Sequence, residues 1–126
     1  MNKYRELWEQ VRDLKLKVDD IPVMSEQAEA ELMNDPLVLE RKHVIHALKR
    51  CKQERLSQDA LFDWVHEVWF SDFFTPYEDD ADCIESVMAL LEELDEEDYI
   101  MPEDLDDCLE ALENNRQVEG LCGDDL

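Results

Sequence analysis

Apolar side chains recur every three or four residues through most of this chain, which is the spacing of amphipathic α-helices. The clearest set lies in the first 18 residues and comprises Tyr4, Leu7, Trp8, Val11, Leu14 and Val18. No segment alternates like a half-buried strand, and glycine and proline are scarce, with two and four copies. The pattern predicts an all-α fold, a single-domain bundle of five to six amphipathic helices over residues 1–115, with a flexible C-terminal tail at 116–126.

Capping residues and prolines indicate where the helices begin. Ser25 and Ser57 are predicted N-caps of the second and fourth helices, and Asp35 followed by Pro36 predicts the start of the third. The predicted helices cover residues 4–18, 26–33, 36–52, 57–71, 80–94 and 102–112. Residues 72–80 are predicted to form a loop because Pro76 interrupts the helical pattern and acidic residues crowd around it.

Charge is divided unevenly along the chain. Residues 1–55 carry 11 acidic and 11 basic side chains, whereas residues 56–115 carry 21 acidic side chains and no Lys or Arg. Almost the whole formal net charge of −23 therefore lies in one continuous segment. Because that segment also has helical apolar spacing, we interpret it as a folded acidic surface and not as a disordered acidic tail.

This charge favours some partners and excludes others. A strongly negative protein repels nucleic acids and anionic lipids, so we expect no direct nucleic-acid or membrane binding, and it attracts basic proteins. The chain contains no run of about 18 apolar residues, as a membrane span requires. Its first residues, MNKYRELWEQ, lack the apolar centre of a signal peptide, so we expect a cytoplasmic location.

Aromatic residues cluster inside the acidic segment, with seven of the chain's ten between Phe62 and Tyr77. Aromatic side chains surrounded by charge are typical of a protein–protein hot spot with a polar rim. The predicted partner-binding residues are Asp72, Phe73, Phe74, Tyr77, Glu78, Asp79, Asp80, Glu93, Asp95, Glu96, Glu97 and Asp98. An alternative of equal weight is that Phe73 and Phe74 cover the end of the bundle as core residues.

Two patterns raise the possibility of a metal site. Glu40 with His43, and Asp63 with His66, each place a carboxylate and an imidazole three residues apart on a helix, as in di-iron bundles, but the bridging carboxylates are missing. An EF-hand alignment of the acids between residues 93 and 104 has Asp98 where the loop needs glycine. We expect these matches to be accidental and expect no metal, no cofactor and no catalytic activity.

The four cysteines, Cys51, Cys83, Cys108 and Cys122, form no C-x-x-C pair. We expect free thiols, with the first three on apolar helix faces. Cys51 lies between Arg50 and Lys52, which could lower its pKa, but we expect a partly buried, inert thiol.

In overall character, the chain resembles the small acidic helical immunity proteins that neutralise bacterial nuclease toxins of the contact-dependent inhibition and colicin systems. The resemblance rests on size, helicity, the absence of a leader, and the stretches DWVHEVWFSDFFTPYEDDADCIE and LLEELDEEDY. It implies a non-catalytic protein that inhibits a basic toxin nuclease domain, and it assigns no residue a role. The alternatives are a nucleic-acid-mimicking regulator of a DNA-binding protein and a carboxylate–histidine metal protein.

Overall fold

The predicted all-α fold is confirmed by a computed structural model, which describes residues 3–96 and 100–118. The described part contains six α-helices and two short strands. In chain order these are α1 (Lys3–Arg12), α2 (Glu26–Asn34), β1 (Leu37–Leu39), α3 (Arg41–Lys52), α4 (Gln58–Trp69), β2 (Phe74–Pro76), α5 (Ala81–Glu96) and α6 (Pro102–Glu113). Single 3-10 turns lie at Val18–Asp20 and Glu78–Asp80.

The first helix is shorter than its apolar pattern predicts. It ends at Arg12 because Leu14 adopts the left-handed conformation, with φ of 63°, and the Lys15 backbone N–H turns back to the Gln10 carbonyl at 2.8 Å. This closure satisfies carbonyls at the helix end. Leu14 and Val18 still pack against the core, but they do so from a loop. Helical spacing therefore located the buried residues correctly and the helix end wrongly.

The predicted start of the third helix at Pro36 is also wrong. Asp35 ends α2, with its N–H donating to the Glu31 carbonyl at 3.2 Å, because the residue before a proline disfavours helical geometry. The chain then runs extended as β1, which pairs in parallel with β2, Leu37 opposite Phe74. This two-stranded pairing corrects the expectation of a wholly strand-free bundle and of an irregular loop over residues 72–80.

The apolar residues form two clusters. The larger lies among α3, α4, α5 and α6, and the smaller joins α1, α2 and β1 to the aromatic link after α4. Phe73 belongs to the smaller cluster, with its ring centroid 4.9 Å from that of Trp8 in an edge-to-face arrangement. The partly buried Phe74 touches both clusters. The aromatic link (residues 70–80) therefore ties the N-terminal layer, which comprises α1, α2 and β1, to the helical bundle.

One arginine connects three helix ends. Arg41, the first residue of α3, donates through Nε to Oδ1 of Asp80 at 2.9 Å and through its backbone N–H to Oδ2 at 3.2 Å. Its Nη1 donates to the carbonyl of Leu112, in the last turn of α6, at 2.7 Å. Asp80 immediately precedes α5 and is buried. A cation at the carbonyl end of α6 and a carboxylate at the amino end of α3 both complement the helix dipoles.

The chain after α6 stays packed against the bundle for at least three residues. Arg116 pairs with Glu110 at 2.7 Å, and the Val118 N–H donates to the Ser86 hydroxyl at 3.0 Å. Arg116 and Val118 of the predicted tail therefore contact the bundle, and residues 119–126 lie outside the described residues. Within the described ranges, no helix is long and apolar enough to cross a membrane.

His43 is buried in the first turn of α3 as a neutral acceptor. Its Nδ1 accepts the Glu40 backbone N–H at 2.8 Å, and its Nε2 lies 4.0 Å from the Asp13 carboxylate. Burial, followed by the nearby positive charge of Arg12, lowers the pKa of His43 from 6.5 to about 4. Protonation would remove the acceptor and place a charge inside the fold.

Replacing Asp80 should destabilise the protein strongly. Asp80→Asn removes the charge that faces Arg41, and we expect a loss of about 2 kcal/mol in the free energy of unfolding, because hydrogen bonds to charged groups contribute about that much. Urea denaturation at neutral pH measures it. Asp79→Asn, at the exposed neighbouring position, is the matched control and should stay within about 0.5 kcal/mol of wild type. Equal effects of the two variants would contradict the role of the Arg41–Asp80 pair.

His43 should make stability fall as the solution is acidified. Its folded-state pKa, about 4, lies below the unfolded value of 6.5, so the unfolded chain binds more protons between these values. The contribution of His43 to the free energy of unfolding is fully present above pH 6.5 and is lost as pH falls towards 4. The total loss is on the order of 3 kcal/mol. Urea titrations at several pH values should show this loss in wild type and in His46→Asn, an exposed control on the same helix. His43→Asn keeps a hydrogen-bond acceptor but cannot titrate, so its stability should not show this loss. A dependence of its stability on pH that is parallel to that of wild type would refute the assignment.

Candidate partner-binding surface

The acidic segment is partly neutralised on α6. The basic helix α3 lies beside α6, where Lys49 pairs with Glu113 at 3.7 Å and Lys52 pairs with Asp106. Arg116 pairs with Glu110, also on α6. Three of the six acids of α6 are therefore ion-paired, two of them with cations of the balanced N-terminal half, and Glu103 and Asp107 remain exposed.

The exposed acids of α5 have no such partners among the residues that the structure describes. We define the α5 stripe as the solvent-facing residues Asp82, Glu85, Glu92 and Glu96. They lie within an arc of about 80° around the helix, together with exposed Ala89, and extend over about 21 Å. Within the described ranges, none of the four makes an ion pair.

The two acids of the α5 stripe nearest the carbonyl end, Glu92 and Glu96, are unfavourable for the helix that carries them. Negative charge near the carbonyl end opposes the helix dipole, and α5 has no basic residue in its last turn. Glu92 and Glu96 are also four residues apart, where like charges repel. A positively charged partner would relieve both effects.

The link before α5 presents one aromatic residue beside this stripe. Tyr77 is 46% exposed, and exposed Glu78 and Asp79 follow it in the turn that leads into α5. Asp72 is exposed as well and adopts a left-handed conformation, with φ of 69°. Tyr77, Glu78 and Asp79 therefore lie at the surface next to the amino end of α5, and Asp72 lies at the surface earlier in the link.

Two of the predicted partner-binding residues are core residues instead. Phe73 is 9% exposed against Trp8, and Asp80 is 6% exposed beneath Arg41. Phe74 is partly buried between the two apolar clusters. Phe73 and Phe74 thus follow the alternative in which they cover the bundle's end, and the expectation that Asp80 is a rim acid is wrong because Asp80 is buried against Arg41.

The predicted acids at the carbonyl end of α5 differ from one another. Glu96 is exposed and Glu93 is partly buried, while Asp95 lies 2.9 Å from Nε2 of His66 on α4. Glu97 and Asp98 lie outside the described residues. This end of α5 is therefore acidic, with one carboxylate already engaged by an imidazole.

Phe70 is a surface aromatic that the sequence reasoning did not single out. It caps α4, is 50% exposed, and its ring contacts that of His66 edge-on at 5.7 Å. Since His66 also contacts Asp95, Phe70 lies beside the last turn of α5. Asp82, Glu85 and Glu92 were missed too, although their spacing of three and seven residues on one helix would have indicated a shared face.

The groups that suggested a metal site are engaged in other contacts. His43 accepts the backbone N–H of Glu40, and His66 pairs with Asp95 on another helix. In the EF-hand alignment, Glu93 and Asp95 lie within α5, and Asp104 accepts the Met101 N–H at 3.0 Å. Among residues 3–96 and 100–118, no group of three or more His, Cys, Asp or Glu is arranged to hold a metal ion.

The thiols are poorly suited to nucleophilic chemistry. Cys51, Cys83 and Cys108 are free and buried, as expected for these three, and Cys122 lies outside the described residues. Burial raises the pKa of Cys51 in spite of its basic neighbours, raises that of Cys83, and raises that of Cys108 to about 12. Protonated, enclosed thiols are weak nucleophiles.

A cleft of about 680 Å³ lies between α4 and the loop after α1. Burial raises the pKa of Glu67 in its wall, and the charges of Asp63 and Asp19 raise it further. Lys15, Lys17 and Arg50 line the same cleft. Because both signs of charge are present there, the cleft selects a charged partner less clearly than the α5 stripe does.

Comparison of the chain with protein-family models, curated proteins and solved structures found no match.

Proposed function

We propose that this chain is a non-catalytic binding protein that blocks a basic protein partner, as an immunity protein blocks a bacterial nuclease toxin. The observation that carries the proposal is the α5 stripe, none of whose four acids makes an ion pair within the described chain, whereas three acids of α6 pair with Lys49, Lys52 and Arg116. A nuclease cleft lined with Lys and Arg for phosphate has the complementary charge.

Electrostatic steering is the physical basis of the proposed mechanism. Complementary charge raises the rate at which two proteins meet, and inhibition of a toxin requires fast capture. Binding would also neutralise acids that destabilise α5, so the partner would stabilise the folded chain by mass action. His43 and His66 make hydrogen bonds to other groups, and three thiols are buried. The non-catalytic role is therefore better supported than the metal-protein alternative.

A nucleic-acid-mimicking regulator is the second candidate, because the acids of α5 are arranged in a line. One DNA strand carries a charge about every 3.4 Å, or about six over 21 Å. The α5 stripe carries four acids over that length and is the sparser array. We therefore favour complementarity to one particular protein surface over general phosphate mimicry.

Capture of the partner tests the function directly. The tagged chain is recovered from its source cells, the bound protein is identified and purified, and its nuclease activity is titrated with the chain. The proposal predicts a basic protein whose nuclease activity is lost at a 1:1 ratio. A captured DNA-binding protein without nuclease activity would favour the mimic, and an acidic partner would contradict both candidates.

Neutralising the α5 stripe should slow association. Glu85→Gln with Glu92→Gln should lower the association rate roughly fivefold at low salt and flatten its salt dependence, because surface charge acts mainly on encounter. The matched control is Glu103→Gln with Asp107→Asn, which removes the same charge from exposed α6 positions. Surface-binding kinetics at two salt concentrations measure both pairs. If the α6 pair slows association as much as the α5 pair, net charge and not the stripe is responsible.

The same stripe should cost the isolated protein stability. Glu92→Gln with Glu96→Gln removes a like-charge pair and relieves the helix dipole, so we expect about 0.5 kcal/mol or more of added stability. The gain should shrink in high salt, where screening already weakens the repulsion. Thermal and urea unfolding of the free chain check this. Lower stability of the double variant at low salt would mean that these acids have a structural role that we have not identified.

A further inference from the structure

The α5 stripe has an exposed aromatic residue near each end. Tyr77, 46% exposed, lies just before the turn that begins α5. Phe70, 50% exposed, lies beside the last turn through the chain of contacts from its ring to His66 and from His66 to Asp95. The two aromatics thus lie near opposite ends of the stripe, which extends over about 21 Å.

The path of the chain explains this separation. His66 and Asp95 bring the end of α4 next to the end of α5, so the link must return along α5 before that helix can begin. The link does so partly in extended form, with β2 paired to β1 and Phe73 fixed against Trp8. Phe70 and Tyr77 are the residues at the two ends of that fixed segment, so their spacing is held by the core.

Exposure of these two rings is unfavourable for the free protein. Aromatic side chains bury large areas in cores and interfaces, and they are the residues enriched at hot spots. Tyr77 is followed by exposed Glu78 and Asp79, and Phe70 contacts His66, which pairs with Asp95. A central acidic stripe with an aromatic residue at either end fits a partner whose basic residues lie between two apolar pockets.

We propose that Phe70 and Tyr77 are paired anchors, and that α5 lies lengthwise in a Lys- and Arg-lined groove of the partner with one aromatic in an apolar pocket at each end. This inference rests on the proposed function and adds the direction and length of the contact. It makes the two aromatics responsible for how long the complex lasts, while the acids between them determine how fast it forms.

Dissociation rates of single variants test the anchors. Phe70→Ala and Tyr77→Ala should each raise the dissociation rate roughly tenfold and leave the association rate within about twofold of wild type. Tyr77→Phe, which keeps the ring, should retain most of the lifetime. Val23→Ala, at an exposed apolar position in the N-terminal layer, is the control and should change neither rate. Unchanged unfolding midpoints exclude misfolding as the cause.

Site-specific photo-cross-linking tests the two-ended geometry. A benzophenone amino acid is placed at position 70 or 77, and the cross-linked partner residues are mapped by mass spectrometry. We expect two separate partner sites, one on each side of a group of Lys and Arg residues. Cross-links from both positions to one site, or alanine variants that behave like Val23→Ala, would overturn the inference. If the acids of α5 still determine the association rate in that case, the proposed function stands without these anchors. If neither the acids nor the aromatics affect binding, the proposed function is contradicted as well.

Discussion

The arrangement of the bundle depends on the contact between Arg41 and Asp80. One guanidinium binds a buried carboxylate just before α5 and a carbonyl at the end of α6, while the same carboxylate accepts the first backbone N–H of α3. Three helix ends are thereby fixed to one another with their dipoles complemented. α6 itself has no basic residue in its last turn, and Arg41 of α3 supplies a cation at its carbonyl end. This contact holds the start of α3 against the end of α6.

That position decides which acids face solvent without a partner. With α3 beside α6, Lys49 and Lys52 pair with acids of α6 and have no counterpart on α5. The charge separation in the sequence is thus only partly carried into the fold: within the described residues, half of the acids of α6 are ion-paired, and none of the four acids of the α5 stripe is. An acidic surface directed at one side of the protein arises from a chain whose whole second half is acidic.

Most of the helical framework follows from the sequence, because apolar spacing and serine caps report local geometry. Ser25 and Ser57 accept the predicted N-terminal N–H bonds, each at 3.1 Å. The failures have tertiary causes. The start of α3 was misplaced because Asp35 and Pro36 also suit a helix end followed by a strand, and the pairing of β1 with β2 brings together residues far apart in the chain.

The candidate surface was harder to predict than the fold for the same reason. Composition located the acidic half, but it could not separate buried Asp80 from exposed Asp79, since the difference depends on Arg41, 39 residues away. The spacing of Phe73 and Phe74 gave no indication of their packing against Trp8. The position of Phe70 beside α5 depends on the His66–Asp95 contact between helices, which the sequence does not indicate.

The central claim is that a basic partner binds along α5 and its leading turn. NMR chemical-shift mapping of the isotopically labelled chain, with the unlabelled partner added, tests it most directly. The account predicts large perturbations at Phe70 and from Tyr77 to Glu96, concentrated at the exposed positions, with α3, α6 and the N-terminal layer little changed. Perturbations centred on α3 and α6, with the α5 stripe unaffected, would contradict it.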